Sequence, residues 1–100
     1  MAVHVNPDPE STARLEQRAL EKMASALCEH SQRLLAGARS RGVLKSREAN
    51  FQVQAFAERQ EQVGRLLQAP ASGPDESRMA RLEQLVSALE CSRGYFRNLQ

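Results

Sequence analysis

The sequence predicts an all-α protein, either an antiparallel three-helix bundle or a helical hairpin with a third helix, with coiled-coil-like seams. Three observations predict this class. Apolar residues recur at spacings of three and four in three separate segments, which is the spacing of one face of an α-helix. The 5 glycines and 4 prolines are few. β-branched residues are scarce, and isoleucine is absent, which disfavours β-sheet.

The composition predicts a thin core. Leucine, valine and phenylalanine together make up 21 of the 100 residues, and 14 more are alanine, which favours helix but adds little apolar burial. A chain of this length buries only somewhat more than about 60% of its unfolded surface. The net charge of +2 is low enough for collapse. We therefore expect a thin, elongated helical fold, or one that completes its core on a partner.

The first helix is predicted at about 8–38, after a flexible tail at residues 1–7. Asp8 is a candidate N-cap, and Pro9 occupies the first helical position, where proline needs no hydrogen-bond donor. The seam of this helix repeats every seven residues, as in a coiled coil. It consists of Ala13, Leu20, Leu27 and Leu34, widened by Met23, Ala24, Ser31 and Ala38.

The second helix is predicted at about 44–68. Continued past Ser40, the first seam would pass through Arg41 and Glu48, so we expect a break at about 40–43 rather than one long rod. Ser46 is a candidate cap for the second helix. The seam of this helix alternates spacings of three and four. It consists of Val53, Phe56, Gln60, Val63 and Leu67.

The third helix is predicted at about 75–98, after a loop at 69–74 that contains two prolines and a glycine. Ser72 and Asp75 have the spacing of a capping box. Residues 8–100 would then form a single helical domain. The third seam consists of Met79, Leu82, Val86, Leu89, Arg93 and Phe96.

Short connections make sequential helices antiparallel, so we expect an up-down-up bundle in which the first and third helices are parallel. Large apolar side chains should then gather at the two ends of the bundle. One end would hold Leu34, Leu35, Leu44, Phe51 and Phe96. The other would hold Leu15, Val63, Leu66, Leu67, Met79 and Leu82.

The sequence offers no recognisable catalytic or metal chemistry. The two aspartates sit at helix starts and the glutamates fall mainly on outward helical positions, whereas acid–base catalysis needs carboxylates that converge in a cleft. Cys28 and His30 are two positions apart and face different sides of a helix, and a zinc site needs three or four ligands. No glycine-rich phosphate loop is present. We predict a non-enzyme with no catalytic, metal-ligating or cofactor-binding residue.

Cys28 and Cys91 are the two cysteines. In parallel helices the positions of the two cysteines along the bundle axis would differ by about 6 Å. The sequence therefore allows either a disulfide or two buried free thiols. The chain shows neither a signal-peptide pattern nor an apolar run of transmembrane length. These features predict an intracellular, cytoplasmic location, although export without a signal peptide would leave the same sequence.

Four cations surround the predicted break and form what we call the basic corner: Arg39, Arg41, Lys45 and Arg47. One hypothesis is a weak anion-binding module for nucleic acid or acidic lipid. The other is a solvated turn whose cations complement the carbonyl end of the first helix. The low net charge and the lack of an interleaved aromatic residue favour the turn and disfavour nucleic acid.

The seams predict protein partners. Polar residues within them, Gln60 and Arg93, are typical of positions that specify a register or a partner. We therefore expect a non-catalytic interaction protein, a small subunit or adaptor that forms homo- or hetero-oligomers through partner helices. In size and composition the chain resembles small helical subunits of tethering or cytoskeletal assemblies and small secretion chaperones, without a shared motif. The candidate partner-binding residues are Leu20, Leu27, Leu34, Tyr95, Phe96 and Leu99.

Overall fold

The computed structural model describes residues 9–68 and 76–99 of the chain, and these residues form a three-helix bundle. This confirms the all-α class that the apolar spacing predicts. Within the described residues, no helix combines the length and the apolar character needed to cross a membrane. The three helices are α1 (Pro9–Ser40), α2 (Arg47–Gln68) and α3 (Glu76–Asn98).

Four sequence predictions lie outside the described residues. They are the flexible tail at 1–7, the Asp8 cap, the loop at 69–74 and the Ser72–Asp75 capping box.

A left-handed glycine ends α1 at the predicted break. Gly42 has φ +71°, a conformation that glycine adopts without the steric penalty of a Cβ atom. Its N–H donates to the carbonyl of Arg39 at 3.1 Å, and the N–H of Val43 donates to the carbonyl of Ala38 at 3.2 Å. These two bonds form a Schellman motif, which satisfies carbonyls that the end of the helix leaves open.

A serine cap begins α2. The Ser46 hydroxyl accepts a hydrogen bond from the backbone N–H of Ala49 at 3.0 Å, and the Ser46 carbonyl accepts one from Asn50 at 3.1 Å. A capping residue has a non-helical backbone itself. The helix therefore begins at Arg47 rather than at residue 44, which corrects the predicted boundary by three residues.

The first and third helices run parallel, as predicted. Glu21, near the middle of α1, accepts a hydrogen bond at 3.2 Å from Arg78, the third residue of α3. Further along both helices, His30 and Glu90 line one cavity. Later residues of α1 therefore lie beside later residues of α3, as expected for parallel helices.

The second helix runs antiparallel to the third. Phe56 packs edge-on against Phe96 near the end of α3, with ring centroids 5.6 Å apart, whereas Leu66 and Arg81 line one groove near its start. Both α1 and α2 pack mainly against α3, and α1 contacts α2 little. The bundle measures 64 × 28 × 16 Å, which agrees with a thin, elongated fold.

Its central position explains the buried side chains of α3, which differ from the predicted seam. Met79 and Arg93 are half-buried, and Ser92 is fully buried in place of Arg93. Because α3 has neighbours on two sides, apolar residues are buried around more of its circumference than one stripe. The buried residues of α3 are Arg78, Leu82, Leu85, Val86, Leu89, Ser92 and Phe96.

Small residues occupy the deepest positions of α1. Ala24, Ser31 and Ala38 are fully buried at seven-residue spacing, beside Leu27 and Leu35. Small side chains allow helix axes to approach closely. The sequence predicts these three small residues as the widening of the leucine seam. In the structure they are its deepest positions, while Leu20 and Leu34 lie half-buried at the edge of the core.

Three residues of the predicted end clusters are exposed instead. Leu15 is 67% exposed, because it lies nine residues before the buried Ala24 and therefore on the opposite face of α1. Phe51 is 65% exposed, because the buried face of α2 follows Ala49, Phe56 and Val63 and Phe51 points elsewhere. Leu67, at the end of α2, is also exposed.

Candidate functional site

A groove between α1 and α3, which we call the α1–α3 groove, has a volume of about 470 Å³. Its α1 wall carries residues at spacings of three and four, which places them on one face of the helix. Met23 is 46% exposed beside it. The lining residues are Met23, Ala26, Leu27, His30 and Arg33 of α1 and Glu90 and Arg93 of α3.

An apolar stripe on α1 leads into this groove. Leu15, Ala19, Met23 and Ala26 are all exposed, and their spacings of four, four and three keep them on one face. This face is turned away from Ala24, which is fully buried against α3. The helix α1 thus has a second apolar face, which the bundle itself does not cover.

The six predicted partner-binding residues divide into two groups. Phe96 is fully buried and Leu27 is 6% exposed, so these two are core residues rather than an open surface. The physical reason is that α3 is central and Phe96 is enclosed between its neighbours, including Phe56. The other four are partly buried and pack against the edge of the core: Leu20, Leu34, Tyr95 and Leu99.

A larger groove of about 750 Å³ lies between α2 and α3, and we call it the α2–α3 groove. Its apolar lining includes Leu66, Leu85 and the exposed ring of Phe51. The predicted seams miss this groove. Its sequence signal is a second stripe on α2, in which Phe51, Ala55 and Leu66 lie on one helical face. The remaining lining residues are Gln54, Glu58, Arg59, Gln62, Arg65, Arg81, Gln84 and Ala88.

Arg59 joins the two walls of the α2–α3 groove. Its Nη1 donates to the carbonyl of Ala88 at 3.0 Å and to the hydroxyl of Ser92 at 2.8 Å. Arg65 forms an exposed ion pair with Glu61, one turn earlier on α2. With Arg81 on the α3 wall, the described lining holds three arginines and one glutamate. Because Glu61 pairs with Arg65, the excess of positive charge comes from Arg59 and Arg81 against Glu58.

The basic corner surrounds the turn at Gly42. Arg39 lies in the last turn of α1, where a cation complements the carbonyl end of the helix dipole. Arg39 also lines a cavity of about 340 Å³ between α1 and α2. All four cations are exposed: Arg39, Arg41, Lys45 and Arg47.

Both cysteines are free thiols, so the disulfide alternative does not hold in this structure. Cys28 is buried, whereas Cys91 is exposed, and the expectation of two buried thiols is therefore correct for Cys28 alone. Burial, and secondarily the negative charge of Glu29, raises the pKa of the Cys28 thiol. Among the described residues, no group of three or more histidine, cysteine, aspartate or glutamate side chains is placed to hold a metal ion.

Comparisons with known proteins identify no family for this chain: no protein-family model, curated protein or solved structure matches it. The two grooves and their surroundings are therefore the features of this chain that bear on its function.

Proposed function

We propose that this chain is a non-catalytic helical interaction protein, a small subunit or adaptor that binds a partner helix along α1. The observation that supports this proposal is the uncovered apolar stripe of α1. Leu15 and Met23 expose 67% and 46% of their surface, although burial of apolar surface is worth about 25 cal/mol per Å². Contiguous apolar surface of this kind marks interaction sites in soluble proteins.

The dimensions of the stripe suit a helical partner. From Leu15 to Ala26 it extends over about 17 Å, or three helical turns. At its far end the stripe enters the α1–α3 groove, where Glu90 and Arg93 form a polar edge beside Met23. An apolar centre with charged edges is the usual arrangement of protein–protein interfaces, and charged edges favour one orientation of the partner.

The test compares two variants of the stripe with a matched control. Leu15→Glu and Met23→Glu each place a carboxylate on the stripe, while Gln32→Glu places one at an exposed position of α1 outside the α1–α3 groove. Because all three positions are exposed, circular dichroism should show unchanged helix content. Light scattering coupled to size exclusion would measure self-association, and quantitative affinity capture from the source cells would measure association with another protein.

We expect association in one of these assays to be at least about tenfold weaker for both stripe variants and unchanged for Gln32→Glu. Equal association of the wild type and the stripe variants in both assays would contradict the proposal. Anion binding at the basic corner and a role as a secretion chaperone stay predictions of the sequence.

A further inference from the structure

We propose that the α2–α3 groove binds an acidic amphipathic helix of a partner protein. This inference rests on the proposed function as an interaction protein, but it concerns a different face of the bundle and names the chemistry of the partner. Every described residue that lines the groove belongs to α2 or α3, so the site is independent of the α1 stripe.

The shape of the groove matches a helix. Two antiparallel helices form its walls, and its lining extends from Phe51 to Leu66 on α2, about 22 Å along the axis. The groove between two packed helices accepts the ridge of a further helix, and a partner helix here would complete a four-helix arrangement.

The apolar part of the groove supplies anchoring surface at both ends. Phe51 is 65% exposed at one end, and Leu66 lines the other end and packs against the edge of the core. On the α3 wall, Ala88 provides apolar surface beside Leu85, which is itself buried. Apolar residues of a partner helix at spacings of three and four would cover these side chains together.

The charge of the groove selects an acidic partner. Among the described residues, Arg59 and Arg81 line it against the carboxylate of Glu58, and Arg65 lines it while paired with Glu61. The bonds from Arg59 to Ala88 and Ser92 hold its guanidinium across the walls, and such a fixed guanidinium is suited to carboxylates because its donors match their geometry. Rim charges of this kind contribute orientation and specificity.

Two other occupants fit less well. A second copy of this chain would bring no excess of carboxylates, because the chain has 14 Lys and Arg against 12 Asp and Glu. Single-stranded nucleic acid binds on successive aromatic side chains, whereas Phe51 is the one aromatic residue that lines this groove.

The test uses the full chain and a synthetic amphipathic helical peptide of about 18 residues. Its leucines follow spacings of three and four and are flanked by glutamates. A control peptide keeps the leucines and carries lysine in place of each glutamate, and a labelled oligothymidine is the nucleic-acid probe. Fluorescence anisotropy gives Kd for the wild type and for the variants Phe51→Ala and Arg81→Glu. Arg97→Glu is the matched control, because Arg97 is also an exposed arginine of α3 but does not line the groove.

We expect the glutamate peptide to bind at least about tenfold more tightly than the lysine peptide. Phe51→Ala should weaken its binding about tenfold and Arg81→Glu about fivefold, while Arg97→Glu should change Kd less than about twofold. The inference would be overturned by equal binding of both peptides or by no binding of either. It would also be overturned by equal effects of Arg81→Glu and Arg97→Glu, or by preferential binding of the oligonucleotide.

The two proposals fail separately. Loss of glutamate-peptide binding with intact Met23-dependent association would overturn the inference and leave the proposed function in place. If the peptide binds in the α2–α3 groove but Met23→Glu does not change association, the result would overturn the α1 interface and support the α2–α3 groove.

Discussion

Alanine substitutions at three glycines should change stability in opposite directions, because the backbone makes different demands at each position. Gly42 has φ +71°, whereas a Cβ atom added at Gly64 or Gly94 would meet no atom of residues 9–68 and 76–99 within 4 Å. Gly64 lies inside α2 and Gly94 inside α3. Gly42→Ala should therefore destabilise the bundle, while Gly64→Ala and Gly94→Ala should stabilise it.

The backbone conformation at each glycine determines how much the free energy of unfolding should change. In the left-handed region an L-residue with a Cβ atom costs about 1–2 kcal/mol, and at Gly42 the two Schellman hydrogen bonds keep the backbone in that region. In a helix interior, glycine is less favourable than alanine by about 0.5–1 kcal/mol. Since nothing near Gly64 or Gly94 would have to move, each alanine should gain that amount.

Urea unfolding followed by circular dichroism measures all three variants. The midpoint should shift without a change of slope, because the surface exposed on unfolding stays the same, and Tm should shift by about 4–8 °C per kcal/mol. Gly42→Asn serves as the control, because asparagine tolerates the left-handed region better than alanine and should cost less. A Gly42→Ala variant as stable as the wild type, or a Gly94→Ala variant less stable than it, would refute the reasoning.

Three further predictions concern buried polar and sulfur atoms. Iodoacetamide should modify the exposed Cys91 well before the buried Cys28, because the raised pKa of Cys28 keeps it protonated at pH values where an exposed thiol begins to ionise. Mass spectrometry measures the two modification rates in water and in urea. Equal rates in water would contradict the prediction. Ser31→Ala should leave the urea midpoint unchanged or raise the free energy of unfolding by about 1 kcal/mol, because the Ser31 hydroxyl is buried and has no hydrogen-bond partner within the described part of the chain. A clear loss of stability would show that the hydroxyl has a role. Arg59→Met and Ser92→Ala should show a coupling energy of about 1 kcal/mol in a double-mutant cycle, whereas strictly additive effects would exclude a stabilising bond between them.

Local features of the sequence predict most of the secondary structure. The apolar spacing predicts three helices, and the charged residues that the first seam would meet after Ser40 predict the break, which Gly42 makes in the structure. The Ser46 cap follows from residue type and position. These features are predictable because capping and helical periodicity act between residues only a few positions apart.

The exposed surfaces could not be predicted in the same way. Leu15 and Phe51 belong to regular apolar patterns, yet both are exposed, and Phe96 lies in the core instead of at a partner surface. In α3, the buried polar residue of the seam is Ser92 and not Arg93. Periodicity identifies an apolar face, but it does not show which neighbouring helix covers that face or where along the chain the cover ends.

The sequence by itself therefore determined three helices, their order and their alternating directions. The tertiary structure decided that α3 is central, with both other helices packed mainly against it. That arrangement leaves Met23 beside one groove and Phe51 beside the other, both exposed. The physical reason is that helix formation depends on local hydrogen bonds and side-chain spacing, whereas the offset and rotation between helices depend on how distant side chains pack. The candidate binding surfaces are set by that second kind of interaction.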